Sequence, residues 1–132
     1  MLSKTTSPLP PDVERACSEV IRCGLLVHTE LGPGFKERIY EDALCLEMHV
    51  AGLAFERQKP VVVRYRGWEI PGHRLDLVVE GVIVVELKCV RKLKNLHRRQ
   101  VLSYLKATGL HLGLMMNFQT ELLRNGIRRV IL

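Results

Sequence analysis

Asp76, Glu86 and Lys88 are the residues whose types and spacing could do chemistry. Asp76 sits inside the apolar stretch His73-Arg74-Leu75-Asp76-Leu77-Val78-Val79, and Glu86 and Lys88 end the next one, Val82-Ile83-Val84-Val85-Glu86-Leu87-Lys88. Both stretches read as strands with apolar residues on both faces, which predicts central strands covered on both sides. A charged group in such a strand is costly unless it is paired or bound to metal. Alternation puts Glu86 and Lys88 on one face. A three-residue loop, Val79-Glu80-Gly81 with Gly81 left-handed, would pair Val78 with Val82 and set Asp76 opposite Val84. Glu86 would then be a diagonal neighbour of Asp76, close enough to share a cation. A strict two-residue loop would send Asp76 to the opposite face.

Two carboxylates and an ammonium make a site for Mg²⁺, with Mn²⁺ as a substitute, and for phosphoryl chemistry. The metal would polarise a phosphate and acidify a water, while Lys88 would hold that water or stabilise charge in the transition state. The plainer alternative is an ion pair of Asp76 with Arg74 or Lys88. Glu37, Tyr40, Leu44 and Met48 fall on one stripe of a helix, which points Glu37 inward, while Glu41 and Glu47 face elsewhere. Glu37 is either a further acid at the metal site or a first-turn carboxylate favoured by the helix dipole.

Residues 87–120 contain no Asp or Glu and seven Lys or Arg: Lys88, Arg91, Lys92, Lys94, Arg98, Arg99 and Lys106. This stretch accounts for the basic bias of the chain, whose formal charge is +6, and the remaining 98 residues carry 13 basic and 14 acidic groups. A basic loop and helix beside clustered carboxylates suits a phosphate backbone, so Arg91, Lys92, Lys94, His97, Arg98 and Arg99 are candidate nucleic-acid contacts. Gln100 and Tyr104 are i, i+4 neighbours, with His97 one turn earlier. This polar stripe either positions a phosphate or the lysine, or is simply hydrated.

The elements that must hold these residues follow from periodicity. Residues 11–31 and 35–50 read as helices, 61–65, 75–79 and 82–87 as strands, 95–107 as a helix, and 112–118 and 127–132 as strands. The order α-α-β-β-β-α-β-β predicts an α/β fold, a central mixed sheet flanked by helices. A chain of 132 residues fits one domain, expected over 11–132, after a flexible Ser/Thr/Pro-rich arm at 1–10. No apolar run is long enough to span a membrane, and the first residues lack the order of a secretory signal. A cytoplasmic protein without a membrane partner is expected. Cys17, Cys23, Cys45 and Cys89 have no metal-binding spacing, which predicts buried free thiols.

At the level of motifs, Gly34-Phe35-Lys36-Glu37-Arg38-Ile39-Tyr40 resembles the signature of the GxxExxY protein family, a small branch of the PD-(D/E)xK nuclease superfamily. Arg74-Leu75-Asp76-Leu77 resembles the acidic-strand motif of that superfamily and Val85-Glu86-Leu87-Lys88 its E-x-K motif. Gln100-Val101-Leu102-Ser103-Tyr104 resembles the Q-x-x-x-Y motif of the lambda-exonuclease-like branch. The resemblance implies a restriction-endonuclease-like core and hydrolysis of nucleic acid, DNA ahead of RNA, with Mg²⁺. It implies Asp76 and Glu86 as metal ligands with the Leu87 carbonyl as a third, and Lys88 as the catalytic lysine. Glu37 would be the helical acid, and Gln100 and Tyr104 the supporting pair. The alternative is a nucleic-acid-binding or assembly module on the same fold, without turnover. No helix-turn-helix or finger is present, so a homodimer or a partner protein is expected to supply specificity.

Overall fold

The computed structural model describes residues 8–132. Its elements are α1 (Pro11–Leu31), α2 (Glu37–Val50), β1 (Phe55–Tyr65), β2 (Trp68–Val79), β3 (Ile83–Lys88), α3 (Asn95–Thr108), β4 (Leu112–Asn117), a 3₁₀ turn (Leu123–Gly126) and β5 (Ile127–Ile131). The expected element order is the observed one. Most of the predicted arm lies outside the described residues, and of its last three residues Leu9 packs into the core.

Local chemistry accounts for the helix boundaries. Pro11 suits the first turn of α1, where no N–H is required, and Asp12 and Glu14 favour the positive end of its dipole. The second helix starts at Glu37, two residues later than the pattern suggested. Phe35 is held outside it because its N–H donates to the Tyr40 hydroxyl (3.1 Å). At the other end of the chain, Gly109 closes α3 in the left-handed conformation.

The five strands form one sheet in the order β1-β2-β3-β4-β5. All neighbours are antiparallel except β3 and β4, whose parallel pairing is made possible by the α3 crossover. α1 and α2 cover one face through Val20, Cys23, Tyr40, Leu44 and Met48, packed on Leu77, Val85, Leu114 and Met116. α3 covers the other through Val101 and Leu105, packed on Val78, Val84, Met115 and Val130. Gly113 lets α3 approach β4 closely, since a Cβ there would stand 2.2 Å from a Val101 methyl. Residues 83–87 are buried without exception, as a doubly covered central strand requires. Cys17, Cys23 and Cys45 are buried free thiols, and Cys89 is half-buried and free.

Two differences from the sequence reading concern β1 and β2. Both strands start earlier than expected: β1 gains residues 55–60, which pair with residues 74–79, and β2 gains residues 68–74, most of which form an exposed two-stranded ribbon with residues 61–65. The register of the β2–β3 hairpin differs as well. Val79 pairs with Ile83, not Val78 with Val82, and the three loop residues are Glu80, Gly81 and Val82. Glu80 and Gly81 both adopt positive φ (52° and 66°), and the Val82 N–H returns to the Val79 carbonyl at 3.0 Å. Val82 is therefore the extra residue in an otherwise tight turn.

Candidate active site

That extra residue brings the two carboxylates together. With Val82 inserted, the next step of the register beyond Leu77–Val85 sets Asp76 level with Glu86, nearer than the diagonal arrangement expected. Regular pairing of β2 with β3 stops at Leu77–Val85, one step before the two acids. There the side chains replace the ladder. The Asp76 N–H donates to Glu86 Oε1 (3.3 Å), and the Leu87 N–H donates to Asp76 Oδ2 (2.9 Å). Side-chain alternation also breaks at this point: Leu75 and Val78 join the α3 side of the core, while Leu77 and Val79 join the other. Asp76 is half-buried and Glu86 is buried.

Burial, and then the neighbouring Asp76 charge, push the Glu86 carboxyl up to about 8, while Lys88 acts in the opposite direction. Two carboxylates in contact, one of them held towards its neutral form, are stabilised by a shared cation. Among the described residues no group of three or more His, Cys, Asp or Glu is gathered as a ready-made metal cage. The hard oxygen donors of Asp76 and Glu86 nevertheless fit Mg²⁺, which commonly binds one or two carboxylates and completes its shell with water and substrate phosphate.

Glu37 opens α2 and faces the same cleft. Glu37 is exposed rather than turned inward, but its carboxyl borders the cleft: partial withdrawal from water and then Asp76 raise it, and Lys88 lowers it, which places it within their electrostatic reach. The position is set by Tyr40, a fully buried residue whose hydroxyl donates to the Gly32 carbonyl (2.5 Å) and accepts from Phe35 N–H. Its ring stacks on Phe118 with centroids 4.6 Å apart. The Gly-x-x-Glu-x-x-Tyr spacing thus makes structural sense: the tyrosine closes the loop that delivers the glutamate.

On the other face of the sheet, α3 contributes Tyr104, whose hydroxyl is raised by burial and by the charges of Glu86 and Asp76. The Tyr104 ring stacks on His73 (4.3 Å), and His73 Nε2 is buried without a hydrogen-bond partner. Gln100 is half-buried one turn before Tyr104. His97 Nδ1 accepts the Lys94 N–H (2.9 Å) and so caps the helix, and burial together with Lys88 and Lys94 lowers its pKa. Arg91, Lys92, Lys94, Arg98 and Arg99 are exposed, with their charges turned to solvent.

Several neighbours were missed in the sequence. Glu41, expected to face away from Glu37, is buried and lines the same cleft of about 470 Å³ with Glu37, Arg57, Gln58 and Asp76. Arg57 donates to Glu41 (2.7 Å) and to Asp42, and Gln58 Nε2 donates to the other Glu41 oxygen (2.9 Å). Gln58 stands opposite Asp76, between the pairs Arg57–Leu77 and Lys59–Leu75, and its φ is 48°. Only the β1–β2 register reveals this. Buried Asn117 is the other omission. It grips both backbone groups of Val90 (3.1 and 2.8 Å), while the Phe118 N–H donates to the Lys88 carbonyl (2.9 Å). These bonds anchor the chain leaving Lys88.

A carboxylate pair, one member buried and the other half-buried, where two strands cease to pair, with a lysine two residues on and a crossover helix behind it, defines the arrangement. A family profile described as the PD-(D/E)XK nuclease superfamily matches residues 14–130. The chain belongs to that superfamily. No curated protein and no solved structure shows a significant match.

Proposed function

We propose that the protein is a Mg²⁺-dependent nuclease that hydrolyses phosphodiester bonds, with DNA as its substrate class. One observation carries this reading: Asp76 and Glu86 meet across β2 and β3 where the ladder ends, with Lys88 acting electrostatically on the pair. Asp76 and Glu86 would hold the metal, the Leu87 carbonyl would be a third ligand, and Glu37 would act from α2 directly or through water. When bound, Mg²⁺ supplies Lewis acidity and makes water a stronger acid at neutral pH.

The remaining work falls to the chain. Lys88 orients the attacking water and stabilises the negative charge that develops on the phosphoryl oxygens. Tyr104 and Gln100, on the same helical face, steady the lysine and the phosphate. The exposed cations Arg91, Lys92, Lys94, Arg98 and Arg99 hold the flanking backbone, so affinity falls as salt rises. His97 gives the N-terminus of α3 its shape beside them.

The test is incubation of single-stranded, duplex and branched DNA and of RNA with Mg²⁺, Mn²⁺ or EDTA, beside Asp76→Ala and Lys88→Ala. Metal-dependent cleavage lost in both variants is expected. Salt-dependent binding without cleavage in any metal would instead favour a binding module on the same fold.

A further inference from the structure

Beyond Val61 the β1–β2 hairpin leaves the sheet. Its tip is the turn Tyr65-Arg66-Gly67-Trp68, with Arg66 and Gly67 at φ 49° and 83°. Tyr65 pairs with Trp68 and Val63 with Ile70, which puts these four side chains on one face of the ribbon. That face is open: Val63 is 48% exposed, Tyr65 57%, Trp68 74% and Ile70 50%. A two-stranded ribbon gains little stability from apolar side chains in water, so this concentration is not accounted for by folding.

We infer that the ribbon face is a stacking platform for unpaired nucleotides of the substrate. This rests on the nuclease reading above and names its substrate class: a strand that is single-stranded where it leaves the cleft. Four observations converge on this occupant. Tyr65 and Trp68 are neighbouring aromatic rings, and the Arg66 guanidinium lies 5.6 Å from the Tyr65 centroid, a mixture of flat and cationic surface that takes any base. Charge favours an anion, because residues 61–75 hold Arg64, Arg66 and Arg74 against one acid, Glu69. The ribbon is continuous with the proposed site, since β2 runs from Trp68 to Asp76, at most about 27 Å at about 3.3 Å per residue. Its foot meets the basic helix, where Arg64 and Val62 share a cleft with Lys106 and Ser103 of α3.

The geometry disfavours two other occupants. Four apolar side chains are few beside the 20–30 residues a side, approximately, of a stable protein interface, which argues against a second copy. Double-stranded nucleic acid hides its base faces except at an end, so flat rings offered for stacking find no partner along its length. Unpaired bases, in contrast, present both faces.

Trp68 is the only tryptophan, so its fluorescence reports the platform directly. The whole chain is titrated in EDTA with a single-stranded oligonucleotide and with the same sequence as a blunt duplex. Saturable quenching is expected, with the single strand binding at least about tenfold more tightly. Trp68→Ala should weaken that binding by roughly 5- to 150-fold, the range of one base–aromatic stack, and Trp68→Phe should restore most of it. Melting temperatures within a degree or two of each other show that the fold is intact. Absence of quenching, or equal affinity in Trp68→Ala and the parent, overturns the inference. So does a fluorescence shift with protein concentration alone, matched by dimerisation in sedimentation. Quenching without cleavage in any metal would remove the nuclease reading and leave the platform standing; cleavage without quenching would do the reverse.

Discussion

The two halves of β2 obey opposite rules. From Leu75 to Val79 the strand lies between helices, and Leu75, Leu77, Val78 and Val79 are all but inaccessible. From Trp68 to Arg74 the same strand lies largely in solvent. Asp76 stands just inside the buried half, where alternation breaks and pairing with β3 ends. A carboxylate in the exposed half would be an ordinary surface acid. Placed among neighbours that withdraw it from water, it raises the pKa of its partner and gains affinity for a cation. One strand thus supplies a desolvated end that carries the proposed site and a solvated end that carries the proposed platform.

This contrast can be broken by substitution, and the largest effect belongs to the site. Lys88→Ala should lower kcat by about 10²–10³, as loss of one charge-stabilising donor does, with little change in melting temperature. A Michaelis constant that rises while kcat is preserved would place Lys88 in binding. Next comes packing. Leu77→Ala should cost about 2–5 kcal/mol by denaturant unfolding, while Ile70→Ala in the exposed half should stay within about 0.5 kcal/mol. Equal costs would mean the ribbon is packed after all.

Glu86 offers a pH test. Its folded pKa lies near 8, above the ordinary value of 4.5, so folding favours its protonated form. The associated stability is fully present below about 4.5 and is lost as pH rises through 8. Metal-free protein should therefore lose stability steadily over that window, and Glu86→Gln should flatten the profile. Mg²⁺ should stabilise most at the alkaline end, since binding expels the proton. Thermal melts from pH 5 to 9 with Mg²⁺ or EDTA check both. A small effect of the opposite sign lies in the turn. Glu80→Asn should stabilise the fold by about 0.5–1 kcal/mol, because asparagine tolerates positive φ and Asn-Gly suits this turn. A loss of stability there would show that the Glu80 side chain does more than occupy the turn.

Much of this was legible in order and in kind. The apolar runs around Asp76 and Glu86 identified doubly covered strands, and the acid-free stretch of 34 residues located the cations. The exposed ribbon was not legible as two long strands, because Pro60, Pro71 and Gly72 interrupt its pattern and both its faces meet water. Nor was the burial of Glu41 legible, since Arg57 and Gln58, which satisfy it, come from a different element.

By itself the sequence determined the element order, the apolar stripes of the helices and the residue types available for chemistry, because periodicity and charge are local properties. Only the tertiary structure decided that Asp76 meets Glu86. That meeting depends on Val82 entering the turn as one extra residue, and a strand's side chains reverse sides with every step of register. It likewise decided that Trp68 and Tyr65 lie side by side beyond the sheet. Position in the chain names both pairs; cross-strand pairing makes one a buried charge problem and the other an open surface.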